Sequence, residues 1–247
     1  MRGNRARQPN DVMFSIFDQI GRPGAPNRIV SFTFEGASRT LLSVGGSILE
    51  MYGARGTYYL PTGVAGYGTV SPQEPFSPKD IGARGHEIGC AVTPGRDEEK
   101  GRAPGTADDI ERSTARIRSA LPGVLLEHCA YGNSLSREDR SRLGTYFRTG
   151  RSLEPGINRG RIDPMAIRAN ALRGREAEYQ RAIALIHEVA TQGGWLAFTL
   201  HDLCPSPGPD GVHAIALDHI VRTAVEAGCL LRSIGEAITL LGKGAPA

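Results

Sequence analysis

The stretch GHEIGCAVTPG, residues 85–95, decides how this chain is read. Its centre, EIGCAV (87–92), is a short apolar run between turn-forming residues, the mark of a buried strand. Six other runs have the same character: RIVSFTF (28–34), TYYL (57–60), VLLEHCA (124–130), TYFRTG (145–150), LAFTLHD (196–202) and CLLRSI (229–234). They are too short for core helices and rich in β-branched and aromatic residues.

Helical patterns separate them. SRTLLSVGGSILEMYG (38–53) aligns Leu41, Val44, Ile48 and Tyr52, although the Gly45–Gly46 pair interrupts it. TADDIERSTARIRSAL (106–121) opens on Thr106 as an N-cap, with acidic residues in the first turn. REAEYQRAIALIHEVATQGG (175–194) and VHAIALDHIVRTAVEAG (212–228) carry apolar residues near helical spacing and stop at glycine. Strand and helix alternate about seven times, which predicts a parallel sheet with helices outside it. A chain of 247 residues suits one such α/β barrel. Residues 1–26 read as an N-terminal arm and 27–247 as the domain. The Gly/Pro/Ser-rich loops 62–80 and 203–211 follow strands, where α/β barrels build their active face.

Composition narrows the function classes. The chain is 40% hydrophobic and 22% charged, enough for a large core. A net charge of +3 is too small for a nucleic-acid surface. Nearly all of the positive charge is arginine, which reads planar anionic groups. Cys90, Cys129, Cys204 and Cys229 form no C-x-x-C pair, so they read as reduced, mostly buried thiols. No run approaches the roughly 20 apolar residues of a membrane span. No apolar run follows MRGNRARQPN that is long enough for a signal peptide, so the expected location is cytoplasmic. The arm, with VMFSIF (12–17), suggests a homodimer contact.

Chemistry is sought at strand ends. In SFTFEGAS (31–38), alternation puts Phe32 and Phe34 on one face and Thr33 and Glu35 on the other, with Glu35 at the C-terminal end. YFRTGRSLEPGINRGRID (146–163) concentrates Arg148, Arg151, Arg159 and Arg161 with Glu154 and Asn158. Arginine forks of this kind hold a carboxylate or phosphate, as on an acidic or nucleotide-linked sugar. The alternative is a solvated loop with structural pairs such as Arg151–Glu154.

Taken in order, SFTFEGAS, RGTYYLPTG (55–63), GHEIGC (85–90), HCAYGNSLS (128–136) and GGWLAFTLHD (193–202) resemble the polysaccharide deacetylase family, carbohydrate esterase family 4, with its NodB-homology domain. The resemblance spans residues 28–240 and implies a distorted barrel of about seven β/α units, a (β/α)7 barrel. It also implies a hydrolase that removes an acetyl group from an N-acetyl sugar, with zinc lowering the pKa of a bound water. In the first family motif, T-F-D-D-G, one Asp is the general base and the next binds the metal. Here these fall on Glu35 and Gly36. The two metal histidines of the second motif fall on Ala91 and Gly95. His201 of TLHD falls on the general acid, and Tyr131 on the segment that lines the substrate groove.

The expected site is therefore Glu35 and His201 as catalytic pair, with Tyr131, Arg148, Arg151, Glu154, Asn158 and Asp202 on the substrate, and no cofactor. A relocated metal site would have to draw on His86, Cys90, His128, Cys129, His201 or Asp202. Two readings follow. One is a deacetylase-like protein of carbohydrate metabolism that, if active, hydrolyses a C–N amide or ureide bond without zinc. The other is a non-catalytic, carbohydrate-binding pseudoenzyme in polysaccharide biosynthesis.

Overall fold

A computed structural model describes residues 27–36, 40–61, 78–92, 107–132, 135–204 and 211–242. The arm 1–26 with VMFSIF, the Thr106 cap, Gly95 and most of the loops 62–80 and 203–211 lie outside the described residues. The principal strands are β1 Arg28–Glu35, β2 Thr57–Pro61, β3 Glu87–Val92, β4 His128–Tyr131, β5 Thr149–Arg151, β6 Asn170–Ala171 and β7 Gly194–Leu200. A small two-stranded sheet pairs β8 Asp202–Leu203 with β9 Gly211–Val212, and β10 Leu230–Leu231 joins β1.

All pairings in the main sheet are parallel, in the order β5-β4-β3-β2-β1-β7-β6. Segment 164–169 carries the sheet onward from β5. Ile167 N–H donates to Gly150 O at 2.9 Å, Ser152 N–H to Ile167 O at 2.8 Å and Ala169 N–H to Glu154 O at 3.0 Å. The same chain then enters β6 beside β7, which curls the sheet into the distorted barrel that the family resemblance implied.

Alternation divides each strand between two cores. Val30, Phe32, Phe34, Tyr58, Leu60, Ile88, Cys90 and Cys129 face the helices. Tyr59, Ala91 and Ala130 cluster on the interior face. The helices are α1, a π-helical stretch Leu41–Gly46 running into Ser47–Met51, then α2 Pro78–Ala83, α3 Ala107–Ala120, α4 Arg137–Leu143, α5 Glu176–Gln192, α6 Ala214–Glu226 and α7 Ile234–Gly242. The glycine pair that interrupts the helical pattern of α1 has a packing reason. A Cβ on Gly45 would lie 2.9 Å from the Phe34 ring, and one on Gly46 would lie 3.0 Å from His86 Nε2. The helix sits so close to the sheet that only glycine fits.

The N-terminal ends of the strands are closed by α7. Its Ile234 and Ala237 pack with Ile29 and Trp195, both wholly buried. The first backbone N–H groups of α7 need partners. Ile234 N–H donates to Thr57 Oγ1 at 3.0 Å, and Gly235 N–H donates to Glu87 Oε1 at 3.0 Å. Glu87 also accepts from Thr57 Oγ1 at 2.6 Å and Ser233 Oγ at 3.2 Å, and lies 3.3 Å from His128 Nε2. An anion at a helix N-terminus is favoured by the macrodipole as well. No described helix is long and apolar enough to cross a membrane.

Burial pushes the Glu87 carboxyl up, but donation from His128, Thr57 and Gly235 outweighs it and holds the group below its ordinary 4.5. A depressed folded-state value stabilises the fold above the unfolded pKa, and that stabilisation is lost as pH falls through the folded value. Glu87→Gln is expected to lower unfolding stability at pH 7 by about 2 kcal/mol. Chemical denaturation should show the gap to wild type narrowing below about pH 4.5.

Candidate functional site

Glu35 ends β1, and its carboxylate points to the interior. There the register is Glu35 opposite Tyr59 on β2, and Ala91 opposite Ala130 on β3 and β4, with Ala130 opposite Arg151 on β5. Ala91, Ala130 and Arg151 thus form one row across three strands. The two alanines are small, and the long Arg151 side chain uses the space they leave. Its Nη2 donates to Glu35 Oε2 in an ion pair, and its guanidinium lies 5.2 Å from the centroid of the Tyr59 ring. Arg151 and Tyr59 are both 0% exposed, while the Glu35 side chain keeps 25% of its surface. Glu35 therefore marks the opening, with Arg151 and Tyr59 beneath it.

Several polar groups in this interior lack partners among the described residues. Nε and Nη1 of Arg151, the Tyr59 hydroxyl and the Thr199 hydroxyl are buried without a hydrogen-bond partner. Each such group costs roughly 1–3 kcal/mol. Burial holds the Tyr59 phenol far above its ordinary range, so it remains a neutral O–H donor. Its cation–π contact with Arg151 recovers part of the cost of burying the charge.

His201 follows β7. Phe34 pairs with Leu200 in the β1–β7 register, so Glu35 and His201 stand at neighbouring strand ends. A Cβ on Gly36 would lie 3.8 Å from the His201 carbonyl oxygen. The His201 side chain is exposed. Asp202 is half-buried, and its Oδ1 accepts from Leu203 N–H at 2.8 Å.

The remaining expected substrate residues are dispersed. Tyr131 packs in the helix-side core, with its hydroxyl donating to Met165 O. Arg148 stands at the opposite end of β5, bonded to Thr239 Oγ1 at 2.9 Å, beside a cavity of about 480 Å³ lined also by Glu87, Glu127 and Arg232. Asn158 ties its loop to Trp195 O and Arg168 O. Arg159 pairs with Glu188 at 2.8 Å. The pairing suggested for Arg151 is corrected: its carboxylate is Glu35, while Glu154 lies 3.8 Å from Arg168 Nη2. Sequence spacing favours a neighbour three residues away, whereas strand register brings in one from across the barrel. Tyr59 and Thr199 carry a signal that the sequence reading passed over. Continuing the Thr33/Glu35 alternation onto the neighbouring strands places both on the interior face.

The described residues here do not fit a divalent metal. Gly36 and Ala91 offer no donor, and Gly36 has φ 128°, a conformation that L side chains rarely adopt. A fixed cation, Arg151, already occupies the row that contains Ala91. Among the described residues, no three or more His, Cys, Asp or Glu side chains gather to hold an ion. Of the relocated candidates, His86 is tied up outside the barrel, accepting from Gly56 N–H at 3.0 Å and lying 2.9 Å from Glu50. His128 lies beneath Glu87, with Nδ1 2.8 Å from Thr149 Oγ1. Cys90 and Cys129 face the helices, and burial pushes Cys90 up to about 12 and Cys129 well above its ordinary value.

No family model and no curated protein sequence matches the chain. Solved structures do. A mutant of the peptidoglycan deacetylase PdaC from Bacillus subtilis aligns with a TM-score of 0.53 at 14% identity, covering 90% of this chain and 95% of that one. The Xyl-CE4 domain of a multidomain xylanase from the hindgut metagenome of Trinervitermes trinervoides aligns at 0.54 and 13% identity, covering 87% and 92%. BA3943 of Bacillus anthracis, a pseudoenzyme of carbohydrate esterase family 4, aligns at 0.52 and 16% identity, covering 87% and 66%. At these identities the likeness is one of architecture, and it is the same in each case: this chain has the fold of the carbohydrate esterase family 4 polysaccharide deacetylases.

Proposed function

We propose that the chain is a divergent, polysaccharide deacetylase-like protein of carbohydrate metabolism that binds a sugar at the barrel mouth without a zinc ion. One observation carries this. The mouth has a carboxylate and an imidazole, Glu35 and His201, at neighbouring strand ends, while Gly36 and Ala91, two positions that resemblance assigns to metal, carry no donor, and Ala91 shares a row with the buried Arg151. If the site turns over, it hydrolyses a C–N bond. Glu35 takes a proton from the attacking water, and His201 gives one to the leaving nitrogen. A positioned acid or base contributes about 10²–10⁴-fold, which is modest for an unactivated amide.

The second reading, a non-catalytic carbohydrate-binding protein, is supported by the Arg151–Glu35 pair. That contact commits one carboxylate oxygen of Glu35 to the interior. A pseudoenzyme of the same fold, BA3943, provides a precedent for the architecture without the activity.

Acetate release from N-acetylated chito-oligosaccharides and peptidoglycan fragments separates these readings. Turnover unaffected by chelator, and reduced about 10²-fold or more by Glu35→Gln or His201→Ala, is the outcome of the first. Binding without release is the outcome of the second. Release that depends on added zinc contradicts both.

Restoring ligands makes a further test. The triple variant Gly36→Asp, Ala91→His, Gly95→His is expected to stay without stoichiometric zinc by elemental analysis. Arg151 remains in the row, and the backbone at 36 resists a side chain. One equivalent of bound zinc would refute this account of the site.

A further inference from the structure

The strand-start end of the barrel carries a cavity that the site at the mouth does not use. It holds about 480 Å³, and its charged lining is Glu87, Glu127, Glu236, Arg148 and Arg232. Three carboxylates there face two guanidiniums, so the lining is net acidic in a chain of net charge +3. Glu87 is committed to α7 and His128. Glu127 and Glu236 are exposed. Arg148 gives Nη2 to Thr239 and stands 3.9 Å from Glu127, beyond hydrogen-bond length, so Glu127 keeps accepting capacity. Apolar surface adjoins these carboxylates. Leu125, two residues before Glu127, is 77% exposed, and the half-buried Leu240 lines the cavity itself.

A segment that fits this surface needs cations next to bulky apolar side chains. Residues 1–26 have that composition, with four arginines against two aspartates and the run VMFSIF at 12–17. The C-terminal residues 243–247 offer a single lysine and no bulky apolar side chain. The described chain also begins within reach. Asn27 O accepts from Gly194 N–H at 2.6 Å at the start of β1, on the same end of the barrel as the cavity. Glu127 and Arg148 precede β4 and β5, three and four strands from β1, which is about 15–19 Å at ordinary strand spacing. Phe17 precedes Asn27 by ten residues, a span of up to about 35 Å of extended chain.

We infer that residues 12–22 of the arm dock in cis on the strand-start end of the barrel, with Arg22 at Glu127 and Glu236 and VMFSIF over Leu125 and Leu240. The chain's own arm is the occupant because it is tethered. A segment held this closely has an effective concentration on the order of millimolar, far above that of a second copy in dilute solution. The surface is thus an intramolecular one, in place of the homodimer contact that the arm suggests from sequence. It is independent of what binds at the mouth.

The test is amide hydrogen exchange of the full chain, read by mass spectrometry at low and high protein concentration. Amides of residues 12–20 should exchange at least about tenfold more slowly than the same sequence does as a free peptide, and equally so at both concentrations. Leu125→Asp and Glu127→Arg change exposed side chains, so each should return the arm to the free-peptide rate while β1 and β7 stay as protected as in wild type. Adding Arg22→Glu to Glu127→Arg reverses both charges and should restore the protection, which loss of folding could not do. Free-peptide exchange of the arm in the wild-type chain overturns the docking. Protection that survives both single variants places the arm on another surface and overturns it as well. Protection that disappears on dilution overturns it in favour of a second copy.

Discussion

A guanidinium with no solvent exposure is tolerable only with a partner, and Arg151 finds one across the barrel, on the first strand. Much of the interior can be understood from this contact. It needs small residues along its path, and Ala91 and Ala130 supply them. It needs a surface to lie on, which the Tyr59 ring provides at 5.2 Å. It needs Glu35 turned inward, which β1 alternation ensures. Removing one side of such a pair leaves a stranded charge and costs about 3–5 kcal/mol, so the residues are bound to one another as a set.

The opposite end of the barrel follows a different logic. There α7 covers the strand starts, and Glu87 meets its N-terminal N–H groups, with Thr57, Ser233 and His128 completing the network. Among the described residues the groups around Glu87 are paired with one another, whereas Arg151 and Tyr59 at the mouth hold buried donors without a partner. The contrast matches the division found in α/β barrels, where one face serves stability and the other serves chemistry.

The parallel sheet was legible from sequence because strands buried on both faces read as short apolar runs. The inward direction of Glu35 was legible from the period of two. Helix α1 was less so, since its glycine pair lowers helix propensity, and its reason lies in contacts with Phe34 and His86 that are distant in sequence. The arginine-rich stretch misled by proximity. Its cations are near in sequence but lie at both ends of β5 and along separate loops, and only Arg151 reaches the mouth. The partner of Arg151 lies 116 residues away, beyond the reach of any local pattern. Tyr131 reads as a mouth residue by resemblance, yet the helix side claims it through its contact with Met165.

Gly36 limits what the site can become. Its φ of 128° suits glycine and resists other residues. A codon change there that introduced a carboxylate would meet a backbone that does not favour a side chain, at a cost on the order of 1–3 kcal/mol. An acidic residue at this position would therefore require the loop to move first, for no benefit at that step. A glycine in this conformation works as a one-way gate, admitting changes that keep the bare backbone and barring those that add a side chain.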